Sequence, residues 1–292
     1  MDDTVFESYR LAGEIAKKAL THAAEMVKPN ISLLEVAETI EGEIIDQDAG
    51  LAFPLNISIN EVAAHDTSSF GDTRVFAPND VVKLDCGVEI EGYVADTART
   101  VDLSGEYGYL VEATEQAIEE VIPFLKAGTP IAEISFRIQG MFEKYNANPV
   151  PSLSGHGLEQ YSAHAPPQIP NIFRAINVSL KADQVIAIEP FATTGKGALR
   201  TSPHTEIYEM KSFKPVRSQA ARSLFPHIMN FNGFPFAKRS LPQEKIGIAL
   251  NHLKKADVIN THPPLHGAPG EIIVQSEHTF IIQEDGCFCT TN

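Results

Sequence analysis

The chain has 292 residues, 43% of them hydrophobic, which is enough to bury a sizeable core. Its 38 acidic residues outnumber the 23 basic ones, for a formal net charge of −15, and this argues against a nucleic-acid partner, which would need a basic patch. Because no apolar run approaches the ~20 residues that span a bilayer and the first residues lack a signal-peptide pattern, we expect a cytoplasmic protein without a membrane partner.

The first predicted elements are two helices. Residues 4–27 have helical character, and the segment Lys28–Val36 then opens a second helix. Ser32 is placed as the N-cap of that helix, with the acidic Glu35 in its first turn.

A predicted hairpin follows and carries two carboxylates. Val81–Cys86 and Tyr93–Val101 read as strands, and Gly92 suits the left-handed position of a turn with a bulge. Folding about this turn brings Asp85 and Asp96 close together. Facing carboxylates repel and are costly in a core sheet, so the hairpin favours a divalent-metal site. The alternative is that both residues cap turns or face solvent.

The order of elements then repeats. A helical stretch near residues 109–126 precedes Lys126–Ile134, which resembles Lys28–Val36 and places Thr129 as N-cap and Pro130 at the first helical position.

A strand in each half also ends on a carboxylate. Gln184–Glu189 resembles Asp80–Asp85, and two matches in the same order favour an internal duplication over coincidence between two common αβ units. We therefore predict an α+β fold with two pseudo-symmetric αβ halves around a shared, mostly antiparallel sheet. Asp85 and Glu189 hold corresponding positions in the two halves.

Histidines offer nitrogen ligands for the same site. His156 lies between two glycines in a predicted loop, where backbone can approach a ligand closely, although a single histidine is more often a surface or core residue. Glu277 and His278 alternate along a strand, so at most one of them can reach the site.

The segment 202–266 differs from the rest of the second half. Prolines interrupt it, and apolar residues recur at helical spacing in Ala220–Met229 and Ile246–Leu253. We predict a helical insertion in a single catalytic domain that covers residues 1–292. The odd number of cysteines, Cys86, Cys287 and Cys289, fits a reducing compartment.

Six short motifs carry a family resemblance. They are Leu51–Pro54, Ala63–His65, Lys83–Gly87, Gly155–Leu158 with His164–Ala165, Ile188–Phe191, and Glu277–Thr279. In this order they resemble the type 2 methionine aminopeptidases in their archaeal form, over nearly the whole chain. Each motif is weak alone, but the ordered set is specific, and that family has the pita-bread fold.

The resemblance implies a dinuclear metal site. Five side chains would bind two divalent ions, which cobalt, manganese, iron or zinc could supply: Asp85, Asp96, His156, Glu189 and Glu277. Asp96 and Glu277 would bridge both ions, and Glu189 would also shuttle a proton.

The resemblance also implies the substrate contacts and the activity. His65 and His164 would contact substrate and steady developing charge, while Phe53, Phe191 and Ala163 would line a methionine pocket. The chain is then expected to be a monomeric metalloaminopeptidase that removes the initiator methionine from nascent polypeptides when the second residue is small.

Three alternatives stay open at this point. A prolidase or aminopeptidase P shares the fold but generally has a separate domain before the first repeat. A non-catalytic binding protein on the same fold would have lost metal ligands, whereas this sequence keeps all five. An unrelated acidic binding module could keep the repeat without chemistry.

Overall fold

The computed structural model describes residues 1–292 and has the predicted α+β architecture, in which every paired strand is antiparallel. The α-helices are α1 Asp3–Met26, α2 Leu33–Ile45, α3 Gly108–Val121, α4 Ile131–Lys144, α5 Gln219–Met229 and α6 Ile246–Lys255. The strands of the first half are β1 Gly50–Leu51, β2 Asn56–Ile59, β3 Val62–Ala64, β4 Val81–Ile90 and β5 Tyr93–Asp102. Those that follow are β6 Asn148–Pro149, β7 Ser154–Glu159, β8 Ser162–Pro170, β9 Val185–Ile188, β10 Phe191–Thr193, β11 Arg200–Thr201, β12 Ile207–Met210, β13 Phe236–Ala237, β14 Ile259–His262, β15 Leu265–His266, β16 Ile273–Gln275, β17 His278–Gln283 and β18 Gly286–Cys289. None of the helices combines the length and the apolar character needed to cross a membrane.

Each half packs a pair of helices on its own sheet. In the first half α1 and α2 cover β4 and β5, and in the second half α3 and α4 enclose a separate cluster of buried apolar side chains with β9 and β17. The two sheets meet at Ala98 and Glu277, whose backbones exchange N–H···O hydrogen bonds of 3.3 and 2.9 Å. The predicted fold of two αβ halves is confirmed.

The start of α2 agrees with the sequence prediction, whereas the start of α4 differs from it. The Ser32 hydroxyl accepts the Glu35 backbone N–H at 3.4 Å and caps α2, as predicted. The prediction that Thr129 caps α4 was wrong. Helix α4 begins at Ile131 with Pro130 in the cap position, and the Thr129 hydroxyl donates to the Phe124 carbonyl instead.

The β4–β5 hairpin is tighter than predicted. Ile90 pairs with Tyr93, so the turn consists of Glu91 and Gly92 alone, with φ of 53° and 84°. Positive φ at both positions is the geometry that matches the twist of a two-residue hairpin, and the predicted bulge was wrong. Strand β4 also continues beyond Asp85 rather than ending there.

The segment 202–266 has an apolar cluster of its own, formed by α5, α6 and the sheet β13–β12–β14. It is tied to the first half by a buried ion pair. The Arg239 guanidinium bonds to the Glu41 carboxylate on α2, and it also donates to the Thr67 hydroxyl at 2.9 Å and the Ser68 carbonyl at 2.7 Å. Burial raises the pKa of Glu41, while Arg239 opposes that rise.

Breaking this ion pair should destabilise the whole chain. We expect Arg239→Met to lower the free energy of unfolding by about 3–5 kcal/mol, because it leaves the Glu41 carboxylate buried without a partner. Denaturant unfolding followed by circular dichroism measures the loss. Arg10→Met is the control and should have little effect, since Arg10 pairs with exposed glutamates on α1. Equal losses in both variants would contradict the assignment.

Candidate metal centre and substrate cavity

A cavity of about 230 Å³ opens where the two halves and the segment 202–266 meet. Nine of the ten side chains predicted for the site line it: Phe53, His65, Asp85, Asp96, His156, His164, Glu189, Phe191 and Glu277. The fold therefore brings together residues that are up to 224 positions apart (277 minus 53).

The acidic residues converge from β4, from β5, from the end of β9 and from the bridge between β16 and β17. In the β4–β5 register Asp85 lies opposite Ala98 and Asp96 opposite Gly87, so the two carboxylates are diagonal neighbours on one face. Glu189 follows β9 directly, and Glu277 enters through the backbone bridge to Ala98.

His156 completes this group from β7. The glycine-framed histidine lies in a strand, not in the predicted loop. Added Cβ atoms would lie 2.4 Å from the Ala187 carbonyl oxygen at Gly155 and 2.1 Å from the Pro166 carbonyl oxygen at Gly157. The two glycines therefore allow neighbouring strands to pack closely around His156.

The group is buried without a counter-charge. Burial raises the pKa of Asp85 to about 7, and it holds the pKa values of Asp96, Glu189 and Glu277 well above their usual range, with further repulsion between the carboxylates. Burial also lowers the pKa of His156 to about 3, so its imidazole is neutral at pH 7. The side chains are thus arranged to receive positive charge.

The donor atoms fit a divalent metal. His156 Nε2 lies 3.8 Å from Asp96 Oδ2 and 3.6 Å from Glu189 Oε1, and ligand atoms of Asp96, His156 and Glu277 lie within 4.8 Å of one another. Three buried carboxylate oxygens, on Asp85, Asp96 and Glu277, have no hydrogen-bond partner. Orphaned buried acceptors are costly, and mixed oxygen and nitrogen donors suit first-row divalent ions.

Hydrogen bonds hold the ligand group in place. The Thr279 hydroxyl donates to the Asp96 carbonyl at 2.7 Å and accepts the Asp96 N–H at 2.8 Å. The Gln275 amide donates to Glu277 at 3.3 Å and to Glu189 at 3.5 Å. The Thr279 bonds link the first half to the second, and the Gln275 bonds join the two glutamates within the second half.

His164 and His65 lie beside the ligand group. The His164 ring packs on His156 with centroids 4.3 Å apart, and it is open to the cavity. Desolvation by the surrounding protein lowers the pKa of His164, and the nearby His262 lowers it further. Burial, together with His262 and His164, lowers the pKa of His65 to about 4. Both imidazoles can therefore act as uncharged hydrogen-bonding groups at pH 7.

Aromatic side chains form the apolar wall. Phe53 lies against Gly87, where an added Cβ would fall 2.3 Å from the Phe53 ring. Phe191, on β10 in the second half, is also buried. Ala163 does not line the cavity. Strand alternation on β8 points it away from His164, into the buried apolar cluster that also contains Phe53.

Four polar residues of the cavity were not identified from the sequence: Asn56, Ser152, Ser154 and His262. His262, at the end of β14, has its ring centroid 5.8 Å from that of His65, and its Nε2 lies 3.1 Å from a Glu209 carboxylate oxygen. Asn56 is buried beside Asp85 in the strand register, with its amide oxygen unpartnered. Asn56 could have been identified as a polar residue on a buried face of β2. No pattern in the neighbouring sequence points to His262.

Comparisons with known proteins agree with this site. The model of metallopeptidase family M24 matches residues 7–218. The chain is 41% identical to a methionine aminopeptidase of Archaeoglobus fulgidus over 292 residues, which is all of both chains.

Solved structures share the fold at lower identity. A thermophilic Arx1 superimposes with a TM-score of 0.89 at 14% identity, covering 99% of this chain and 91% of that one. Methionine aminopeptidase from Rickettsia prowazekii gives 0.73 at 21% identity, covering 100% and 98%. With the full-length relative at 41% identity, these findings mean that the chain belongs to metallopeptidase family M24 and is one of its metalloaminopeptidases.

Proposed function

We propose that this chain is a type 2 methionine aminopeptidase, which removes the N-terminal methionine of nascent polypeptides whose second residue is small. One observation carries the proposal: four carboxylates, two of them buried and two partly buried, converge with a neutral imidazole in one apolar-walled cavity. The full-length identity to a methionine aminopeptidase supports it.

The proposed metal ligands are Asp85, Asp96, His156, Glu189 and Glu277. Asp96 and Glu277 would bridge two divalent ions, and cobalt, manganese, iron and zinc all suit the donor set. When bound, the ions would supply a nucleophile at neutral pH and polarise the scissile carbonyl. Analysis of the metal content of the purified protein tests the number of ions, and it separates an enzyme from a binding protein that holds none.

The chain's own residues would then orient substrate and move protons. Glu189 keeps 14% of its side-chain surface exposed, toward the cavity, and we assign it to carry a proton to the leaving amine. His164 would donate a hydrogen bond to the carbonyl oxygen as negative charge develops there. His65 would contact the substrate from the other side of the cavity.

Selection of methionine would come from the apolar wall. Phe53 and Phe191 offer aromatic surface to a flexible thioether, which contacts such rings favourably. One methylene is worth only about 1–3 kcal/mol in such a pocket, so norleucine at the first position should be excluded poorly.

We also propose that residues 202–266 are an insertion within a single catalytic domain that covers residues 1–292. The separate apolar cluster of α5, α6 and β12–β14 supports this division. Ile207, Pro235 and His262 of this segment line the cavity, so the insertion narrows the site that the two halves form.

Peptide hydrolysis tests the proposed specificity. We expect cleavage of Met-Ala, Met-Gly, Met-Ser and Met-Val peptides and resistance of Met-Lys and Met-Phe, because the second residue would meet the rim formed by the segment 202–266. Release of free methionine, with and without added divalent metal, is the measurement.

Formylated or acetylated peptides are the matched controls. They should be inert, because an exopeptidase site must recognise the free amine. Rapid hydrolysis of formylated peptides, or a preference for Xaa-Pro over Met-Ala, would contradict the proposal and favour a prolidase-like activity.

A further inference from the structure

His65 has a backbone conformation that its neighbours must hold in place. Its φ of 64° lies in the left-handed region, which costs a non-glycine residue free energy and persists only where the surrounding structure fixes it. His65 directly follows β3 and lines the cavity. The contacts around it therefore decide where its imidazole points.

The segment 202–266 supplies one set of contacts. The His262 ring meets the His65 ring nearly edge-on, at an interplanar angle of 85°. The backbone of Pro263 opposes the fall in the His65 pKa, so two consecutive residues of the segment lie beside the same imidazole.

Glu209 fixes His262 in turn. Strands β12 and β14 pair Ile207 with His262 and Glu209 with Asn260, which makes Glu209 and His262 diagonal neighbours on one face. The Glu209 carboxylate lies 3.1 Å from His262 Nε2, and this hydrogen bond lowers its pKa. Glu209 therefore stays ionised at neutral pH and accepts the His262 N–H.

The same segment also forms hydrogen bonds with the chain just after His65. Arg239 donates to the Thr67 hydroxyl and the Ser68 carbonyl while it pairs with Glu41. Residues 65–68 are therefore held at both ends by side chains of the segment 202–266.

We propose that Glu209 and His262 are positioning residues that set the orientation of the His65 imidazole. The inference rests on the proposed function, in which His65 contacts the substrate. It assigns the segment 202–266 a role in alignment for the reaction, in addition to its place in the cavity wall.

The first test is spectroscopic and needs neither metal nor activity. In the metal-free protein labelled with ¹⁵N-histidine, we expect the His65 ring to show one fixed neutral tautomer, with its signals assigned by their loss in His65→Gln. In Glu209→Met and in His262→Phe the signals should shift toward averaged tautomers. His262→Phe keeps a ring beside His65 but removes the bond to Glu209. Unchanged His65 signals in both variants would overturn the proposal, whatever the protein's activity.

The second test separates alignment from substrate binding. For Glu209→Met we expect kcat on a Met-Ala peptide to fall about 10- to 100-fold, as for other side chains that orient a functional histidine, with KM nearly unchanged. Glu209→Gln should retain most activity, because its amide oxygen still accepts the His262 N–H. Lys211→Met, which removes an exposed charge from the same segment, should match wild type. A rise in KM without loss of kcat would overturn the proposal and make His262 a direct substrate contact.

Discussion

Replacing Asp96 by asparagine, or Glu277 by glutamine, should abolish turnover while the fold remains intact. Each substitution keeps the shape of the side chain and removes one of the charges proposed to bridge two ions. Steady-state release of methionine from Met-Ala, at saturating added metal, measures the effect. Near-wild-type activity in either metal-reconstituted variant would contradict the dinuclear assignment.

The same two variants should be more stable than wild type in the metal-free state. Burial and mutual repulsion raise the pKa values of Asp96 and Glu277 in the folded protein. Stability from such groups is fully present below their unfolded pKa of about 4 and is lost as pH rises through the higher folded values. Metal-free wild type should therefore lose stability as pH increases from about 4, and Asp85 extends the loss to at least pH 7.

Thermal unfolding against pH, with chelator present, measures this difference. The curves of wild type and of Asp96→Asn should coincide near pH 4 and diverge as pH rises. Added metal should reverse the order, because it stabilises the full ligand set by binding to the native state. Parallel curves would show that folding does not raise the pKa of the Asp96 carboxyl.

The sequence predicted the architecture well because the relevant signals are local and repeated. The Ser32 cap, the strand with Asp85 and the matching run that ends at Glu189 each follow from propensity and period, and their recurrence indicated two halves. The errors arose where tertiary packing overrides local preference. Thr129 hydrogen-bonds back to Phe124 rather than capping α4.

The candidate site likewise contains some residues that local sequence rules predict and others that depend on tertiary packing. Asp85 and Asp96 could be paired because a hairpin fixes their register, and the opposed faces of Glu277 and His278 follow from strand alternation. The structure places Glu277 in the cavity and His278 on another surface. Alternation applied to β8 would also have separated Ala163 from His164.

His262 could not be predicted by such rules. Its place beside His65 depends on how the segment 202–266 folds back over the first half, through contacts such as Arg239 with Glu41 that span 198 positions. Only non-local packing determines those contacts, and no periodicity in the sequence encodes them.

Replacing His164 by alanine should lower kcat by roughly 10²–10³, as loss of one donor to a developing oxyanion does in other hydrolases. KM for a methionyl peptide and metal content should stay close to wild type, because His164 packs on His156 without belonging to the proposed ligand group. His164→Gln retains an N–H donor in the cavity and should recover part of the lost rate. Parallel measurement of bound metal and of steady-state kinetics on Met-Ala decides the role. Loss of metal from His164→Ala would make His164 a ligand, and a rise in KM alone would limit it to substrate binding.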